Sequence, residues 1–293
     1  MKNVKKLFAA LLVTAMALST LTACGSKTET PSADASTDSD NSAATTTVDY
    51  PTKDITVVVP YGAGGTTDLC VRGVLDAVDK SVVTKNFIVS NVTGGSGLVG
   101  ASQFVNAKSD GYTIGVLNCD LVLNNVLGNT DITSDQFVPL ACIENDPYLF
   151  VVSKDAPYQT FEEFVDYAKA HPGEVTVADT GAAVGQMDGG NIVPLAVTSN
   201  ERLSTYPDVP AMGELYTELA DMQVNSWIMV AVKADTDPEI ISFLQDAFAP
   251  AAVSDAYKAT QEGFFFQPVE EMSNEDMLNF VAAQHSYYES LLK

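Results

Sequence analysis

The sequence predicts an α/β fold in which parallel strands alternate with helices. Three short runs rich in β-branched and apolar residues, at positions 55–60, 87–89 and 112–117, are each followed by a helical pattern of apolar residues. Strands that alternate with helices in this way form a parallel sheet with helices packed on its faces. The first two strands also end in glycine-rich segments, which are typical of the turns that lead into such helices.

The helices behind these strands follow from hydrophobic periodicity. Apolar residues recur at helical spacing from Leu69 to Val78, and similar patterns occupy residues 98–107 and 121–126. The sequence therefore predicts three consecutive strand–helix units in the first half of the folded region.

The second half of the chain continues with both kinds of element. Residues 161–170 form an amphipathic helical pattern, and residues 175–178 and 192–197 predict strands. A helix is predicted over residues 238–253, with proline at a position suited to the first turn. The last helix is predicted to begin at Ser273, whose side chain can cap it.

The first residues of the chain predict an export signal. Residues 1–23 combine a lysine-rich start with an apolar run too short to span a membrane. The segment closes with Leu21-Thr22-Ala23-Cys24, which resembles a lipoprotein signal, so Cys24 would carry the lipid that tethers the protein to the outer face of the cell membrane. An ordinary secretory signal with a chance cysteine is the alternative. Residues 24–49 are almost entirely small and polar and predict a disordered linker.

Composition excludes several classes of function. The formal net charge of −23 makes nucleic acid a poor partner. Cys70, Cys119 and Cys142 lack the spacing of a zinc site or a disulfide framework, and we interpret them as buried small residues. The two histidines, His171 and His285, lie in predicted helices or helix ends, so neither a metal site nor a Ser-His-Asp hydrolase is indicated. No cofactor is expected.

Two glycine-rich loops follow the first two predicted strands, over residues 61–68 and 91–97. In an open parallel sheet, ligands collect at the carboxyl ends of the strands, where loops meet helix N-termini. Glycine lets backbone amides approach a ligand closely, and the helix dipole adds partial positive charge. Because neither loop contains Lys or Arg, together they predict an anion cradle made of backbone N–H groups. The simpler interpretation of each loop is a tight turn, and a dinucleotide fingerprint is incomplete because its third glycine is missing.

Several short motifs run in a fixed order through the chain after the predicted linker. They are Tyr50-Pro51-Thr52-Lys53; Gly64-Gly65-x-x-Asp68; Asn91-x-x-Gly94-x-x-Gly97-x-x-Gly100; Asp110-Gly111-Tyr112-Thr113; Pro194-Leu195-Ala196-Val197-Thr198-Ser199; Pro207-Asp208-Val209-Pro210; and Trp227 ahead of Pro238-Glu239-Ile240. In this set of motifs the sequence resembles the extracytoplasmic solute-binding receptors of tripartite tricarboxylate transporters, the TctC or Bug family.

The resemblance implies a two-lobed clamshell similar to the type II periplasmic binding proteins, with parallel or mixed sheets flanked by helices. One lobe would hold residues 50–144 and 232–293, and the other would hold residues 145–231. The resemblance also implies a binding protein rather than an enzyme. Its ligand would be a small carboxylate, such as a di- or tricarboxylate, captured outside the cytoplasm and passed to membrane permease subunits.

By the same resemblance, residues of both lobes hold the ligand. The contacts implied are the amides around Gly64, Gly65, Thr66 and Thr67; Asp68 and Asn91, which shape the loops; Ser96 and Gly97 of the second loop; and Thr180, Gly181 and Ala182 of the facing lobe. Tyr61, Asn118 and Asp120 are candidates for selecting among ligands. Asn118 directly follows the third predicted strand, where it can alternatively cap the next helix.

One departure from the family pattern concerns the second lobe. Only residues 184–193 separate the loop at Gly181 from the strand near Pro194, whereas the family has on the order of fifty more residues there, so the lobe shrinks to a size at which burial is marginal. The lobe is then either a reduced version that still closes or part of a damaged relative that does not. An exported hydrolase, such as an esterase with Ser96 as nucleophile, is the alternative from another class.

Overall fold

A five-stranded sheet forms the centre of the computed structural model, which describes residues 49–175, 187, 189–203, 205–219, 224–264 and 266–292. In chain order the strands are β1 (Ile55–Val59), β2 (Phe87–Asn91), β3 (Thr113–Asn118), β4 (Phe137–Pro147), β5 (Leu149–Ser153), β6 (Ile192–Val197) and β7 (Asn225–Lys233). The larger sheet has the order β2-β1-β3-β7-β4, and β5 and β6 form a separate two-stranded antiparallel sheet.

Helices flank these sheets. In chain order they are α1 (Thr66–Ala77), α2 (Leu98–Val105), α3 (Cys119–Val126), α4 (Phe161–Ala170), α5 (Met212–Leu215), α6 (Pro238–Ala252), α7 (Asp255–Gly263) and α8 (Asn274–Leu292). Short 3₁₀ turns occupy Ser134–Gln136 and Thr217–Leu219. The helices predicted behind the first three strands and those predicted over 161–170, 238–253 and from Ser273 are confirmed.

The larger sheet is mixed rather than parallel throughout. β1 pairs in parallel with both β2 and β3, as the strand–helix alternation predicted. β7 then lies between β3 and β4 and runs antiparallel to both. Neither β4 nor β7 was predicted as a strand, and their pairing joins segments about 80 residues apart in the chain, so local periodicity carries no signal for it.

The core of the larger sheet is apolar on both faces. Residues Trp227, Tyr257, Phe104 and Phe137 are among its largest fully buried side chains. Gly115 of β3 lets Phe104 pack closely against the sheet, because a Cβ atom there would lie 2.5 Å from Cδ1 of Phe104. Helix α2 contacts β1 and β3, and the C-terminal helices α6 and α8 contact β4, so helices cover the sheet.

The smaller sheet has a core of its own. Within the described residues, that core consists of Phe161, Leu195, Ala196 and Met212, with partly buried apolar side chains around it. Helix α4 packs there through Phe161, and the reciprocal hydrogen bonds of Thr160 and Glu163 cap its N-terminus. Two sheets with separate cores give the protein its two-lobed form. Residues 176–178 of the strand predicted at 175–178 lie outside the described residues.

The chain passes from the larger to the smaller sheet at Tyr148, the one residue between β4 and β5. The backbone N–H of Tyr148 donates to Oγ1 of Thr198 at 2.8 Å, and the N–H of Thr198 donates back to the carbonyl of Tyr148 at 2.9 Å. The lobe boundaries at residues 144 and 232 stay a prediction, and residues 225–231 of β7 pair within the larger sheet. None of the helices in the described part of the chain is long and apolar enough to cross a membrane.

Candidate ligand cavity

A cavity of about 830 Å³ lies between the two sheets. Its lining comes from the N-terminus of α1, the start of α3, the end of β4, the whole of β5 and the start of β7. A volume of this size fits a small organic molecule, since ligand sites in proteins usually enclose several hundred cubic ångströms. The cavity is therefore the candidate site, and it meets the carboxyl ends of β1 and β3 as the sheet topology predicts.

The N-terminus of α1 opens onto this cavity. Gly65, Thr66 and Thr67 line it, and Gly65 caps the helix in an extended conformation without any side-chain hydrogen bond. The first N–H groups of a helix have no partner within the helix. The amides of Thr66 and Thr67 are thus available to a ligand, and the helix dipole adds partial positive charge at the same point.

Asp68, in the first turn of α1, fixes the loop that precedes this helix. Its side chain is 2% exposed and accepts hydrogen bonds from the backbone N–H of Gly64, from Nε of Arg72 and from Nδ2 of Asn91, each at 2.9 Å. Burial raises the pKa of Asp68, but these hydrogen bonds outweigh it and hold the pKa below its ordinary value. Gly64 has φ of +81°, a conformation that glycine adopts readily.

Asn91 ties the first loop to the end of β2. Its Nδ2 donates both to Oδ1 of Asp68 and to the backbone carbonyl of Tyr61, at 2.9 and 3.0 Å. Neither Asp68, Asn91 nor Gly64 lines the cavity. The three residues therefore shape the loop whose next residues reach the cavity.

Tyr61, Asn118 and Asp120 form a second polar group at the cavity wall. The phenol of Tyr61 donates to Oδ2 of Asp120 and accepts from Nδ2 of Asn118, the latter at 2.8 Å. Asn118 also caps α3 by accepting from the N–H of Leu121 at 3.2 Å. Burial, followed by the charge of Asp120, raises the pKa of Tyr61, so the phenol stays protonated and can donate.

The second glycine-rich loop does not reach the large cavity. Ser96 and Gly97 line a separate crevice of about 10 Å³ beside Asn118. Gly97 has φ of +88°, and a Cβ atom there would lie 3.0 Å from the phenol oxygen of Tyr61. The two loops thus meet through Tyr61, and only the first borders the cavity.

Two acidic residues at the end of β4 were missed by the sequence analysis. Glu144 and Asp146 both line the cavity, and they lie on one face of the strand because alternate residues share a face. Glu144 is 2% exposed. The sequence does contain two acidic residues two positions apart, at 144 and 146. This spacing places them on one face only if the segment is a strand, which the sequence did not predict.

Asp146 is the more unusual of the two. Its Oδ1 accepts from the N–H of Gln267 at 2.9 Å, whereas its Oδ2 is buried without a hydrogen-bond partner in the described part of the chain. Burial raises the pKa of Asp146 to about 6, and the hydrogen bond from Gln267 offsets only part of this effect.

Aromatic side chains form much of the remaining wall. They include Phe150, Tyr158 and Phe164, whose rings contact one another with centroids 4.6 Å apart for Phe150 and Phe164 and 5.3 Å apart for Tyr158 and Phe164. No Lys, Arg or His is found among the described residues that line the cavity. The charged side chains among these lining residues are consequently all acidic.

The cysteines and histidines occupy structural positions. Cys70, Cys119 and Cys142 are free and buried, as predicted, and burial raises the pKa of the Cys119 thiol to about 11. His171 stacks on the ring of Tyr167, and Nε2 of His285 contacts Oδ1 of Asn125. Among residues 49–175 and the later described ranges, no cluster of His, Cys, Asp and Glu could hold a metal ion.

Four predicted functional residues cannot be located. Thr180, Gly181 and Ala182, expected to face the first loop, lie outside the described residues, and so does Cys24. The residues that the structure does bring to the cavity are Tyr61, Gly65, Thr66, Thr67, Asn118 and Asp120.

Comparison with protein families identifies one match that covers most of the folded region. The model of the tripartite tricarboxylate transporter family receptors, TctC, matches residues 70–187 and 174–293. A UPF0065 protein of Cupriavidus necator is 27% identical over 269 residues, covering 75% of this chain and 80% of that protein. BugT of Bordetella pertussis is 25% identical over 269 residues, covering 72% and 81%.

The alignment with the Cupriavidus protein is longer than the part of this chain that it covers. The alignment spans 269 positions but includes only 75% of the 293 residues of this chain. It is therefore about fifty positions longer than the part of this chain that it includes. The two family-model matches overlap at residues 174–187. About fifty positions of the alignment therefore have no counterpart in this chain, and the shortening of the second lobe stays a prediction.

Solved structures give the same fold. A TctC solute-binding protein from Polaromonas, without ligand, has a TM-score of 0.62 at 26% identity, covering 83% of this chain and 99% of that one. MatC of Rhodopseudomonas palustris, with bound malate, has a TM-score of 0.74 at 20% identity, covering 83% and 100%. A further R. palustris protein, with adipate, has a TM-score of 0.70 at 23% identity, covering 83% and 97%.

Proposed function

Since this chain belongs to the tripartite tricarboxylate transporter receptor family, we propose that it captures a small organic carboxylate in the cavity between its two lobes. The family is one of solute-binding receptors rather than enzymes. The observation that carries the proposal is the position of the α1 N-terminus, with Gly65, Thr66 and Thr67 at the cavity wall. Backbone amides at a helix N-terminus bind a carboxylate without any cationic side chain.

The ligands of structural neighbours support this class of solute. MatC carries malate and the other R. palustris protein carries adipate, both of which are small dicarboxylates. We take from them only that this fold accommodates carboxylates of four to six carbons. The cavity here is large enough for such molecules.

The proposed cellular role follows from the family and the N-terminal segment. The receptor would lie outside the cytoplasm, tethered through a lipid on Cys24, and would deliver its solute to membrane permease subunits. Ligand-driven closure requires contacts that are stronger in the closed than in the open form. Tyr148 and Thr198, which join the two sheets, lie where such a hinge would act.

The hydrolase alternative lacks a base. Ser96 has φ of +52° and lines the small crevice, while His171 and His285 engage Tyr167 and Asn125. Within the described residues, both histidines are therefore engaged away from Ser96, which counts against a Ser-His hydrolase.

Thermal-shift measurement with a panel of organic acids tests the proposal. A solute that binds only the folded state raises the melting temperature by mass action, by an amount that grows with its concentration. We expect such a shift with at least one compound that bears a carboxylate. Failure of every mono-, di-, tri- and aminocarboxylate in the panel would identify the chain as a relative that no longer binds.

A further inference from the structure

The cavity wall combines two parts of different electrostatic character. One is the N-terminus of α1, which follows β1 and favours negative charge, and the other is the acidic pair Glu144 and Asp146 of β4, which β3 and β7 separate from β1 in the sheet. A dicarboxylate placed across this cavity would set its second negative charge against those acids. The wall therefore distinguishes between solutes by the charge of their second group.

The electrostatic cost of a second anion would be high. Asp120 adds a third carboxylate to the wall, and it is already engaged by the phenol of Tyr61. No basic side chain lies among the described lining residues to offset these charges. Like charges brought together in a partly desolvated site disfavour one another strongly.

Asp146 also has an unused acceptor. Its Oδ2 is buried without a hydrogen-bond partner in the described ranges, whereas Oδ1 is satisfied by Gln267. A buried carboxylate oxygen that lacks a partner is costly, so the charge of Asp146 is compensated on one oxygen only. A protonated amine bound beside Asp146 in the cavity would supply the opposite charge.

Aromatic rings line the same cavity beside β5. Phe150, Tyr158 and Phe164 form a contiguous cluster on the α4 side. Aromatic faces attract ammonium groups, especially quaternary ones, through the ring quadrupole. Rings and carboxylates without basic residues form a wall suited to a cationic nitrogen.

We propose that the cavity selects solutes that carry a positively charged nitrogen together with their carboxylate, as amino acids and betaines do, over dianions of the same size. The carboxylate lies at the α1 N-terminus, and the cationic nitrogen lies at Asp146, with the aromatic cluster of the same cavity available to a bulkier ammonium group. This inference rests on the proposed function, because it assumes that the cavity binds a carboxylate. It adds the chemical class of the ligand's second group.

A matched pair of ligands tests the inference. In 4-aminobutanoate an ammonium group replaces one carboxylate of glutarate, while the three-carbon spacer is the same. We expect calorimetry on the purified protein at pH 7.5 to give tighter binding of 4-aminobutanoate by about tenfold or more, equivalent to 1.4 kcal/mol. The trimethylammonium analogue of 4-aminobutanoate reports whether the rings contribute.

Two variants test whether the positively charged nitrogen of the ligand binds at Asp146. Asp146→Asn retains an acceptor for Gln267 but removes the negative charge, so it is expected to narrow the preference for 4-aminobutanoate over glutarate. Asp246→Asn is the matched control, because Asp246 is exposed on α6 and does not line the cavity. That control is expected to leave the preference unchanged.

The outcomes separate this inference from the proposed function. Tighter binding of glutarate than of 4-aminobutanoate overturns the inference and leaves carboxylate capture standing. Binding of glutarate that requires added Mg²⁺ overturns it as well, because the metal would then supply the positive charge. If neither compound nor any other member of the zwitterion and dianion panels binds, both proposals fall.

Discussion

The phenol of Tyr61 donates a hydrogen bond to the carboxylate of Asp120 across the entrance to α3. This contact joins the loop after β1 to the helix after β3 and places both side chains at the cavity wall. It also satisfies one oxygen of Asp120, in contrast to Oδ2 of Asp146, which has no partner among the described residues. The two acids therefore differ: Asp120 orients Tyr61, whereas Asp146 carries a buried carboxylate oxygen that nothing in the described ranges compensates.

A proline at the first position of α1 tests whether backbone amides bind the solute. Thr66→Pro removes one N–H, and the helix tolerates proline there because Gly65 is already extended, with φ of −79° and ψ of 167°. We expect the carboxylate to bind about tenfold more weakly, with a smaller thermal shift. Thr66→Ala keeps the amide and serves as the control. Equal loss in both variants would mean that the side chain, not the amide, makes the contact.

Removing the carboxylate of Asp68 is expected to destabilise the protein. Asp68→Ala leaves the N–H of Gly64 and Nδ2 of Asn91 without their acceptor, at a cost of about 2–3 kcal/mol in the free energy of unfolding by urea. Because its pKa is lowered on folding, the stabilisation by Asp68 is present at neutral pH and is lost as the pH falls through the pKa of the folded state. Asp76→Ala, on the exposed face of the same helix, is expected to change stability little. Similar effects of the two variants would contradict the network.

Asp146→Asn is expected to stabilise the empty protein at neutral pH. The pKa of Asp146 is raised to about 6 in the fold, above that of a free aspartate, so its ionised form opposes folding. The favourable contribution of the protonated form is present below about pH 4 and is lost as the pH rises through 6. We expect the variant to gain about 1–3 kcal/mol at pH 7.5 and little at pH 4.

Chemical unfolding of wild type and variant across this range measures the gain. The groups that interact with Asp146, namely Cys70, Cys142 and the backbone N–H of Gln267, stay in place in both proteins, so the difference isolates one carboxylate. Asp246→Asn provides the baseline for loss of an exposed charge. A variant less stable than wild type at pH 7.5 would show that the carboxylate has a counter-charge.

Gly97→Ala is expected to disturb Tyr61. Both Gly97 and Gly128 have positive φ, +88° and +74°, so alanine at either position costs about 1–2 kcal/mol in backbone strain. Only at Gly97 would the new Cβ press on the phenol of Tyr61, whereas nothing lies within 4 Å at Gly128. We expect Gly97→Ala to lower the unfolding free energy further and also to weaken ligand binding. Equal effects in both variants would mean that Tyr61 moves aside freely.

The local pattern of apolar residues was sufficient to predict the strand–helix units up to α3, because each strand and helix has its own hydrophobic period. It failed at β4 and β7: residues 137–147 contain prolines and end in polar residues, and their pairing depends on contacts far along the chain. The same failure concealed Glu144 and Asp146, which become neighbours of the cavity only through that strand. The loop at Gly65 was found because glycine composition and strand position are both visible in the sequence.

The small hydrophobic core of the smaller lobe affects how that lobe responds to ligand binding. Its described core rests on Phe161, Leu195, Ala196 and Met212, while Phe150 and Phe164 face both that core and the cavity. A ligand that packs against those rings would add apolar contacts to the core of the smaller lobe, as additional buried side chains do in a larger core. Ligand binding and stabilisation of the smaller lobe are then thermodynamically coupled. We expect slower amide hydrogen exchange along β5 and β6 when the ligand is bound.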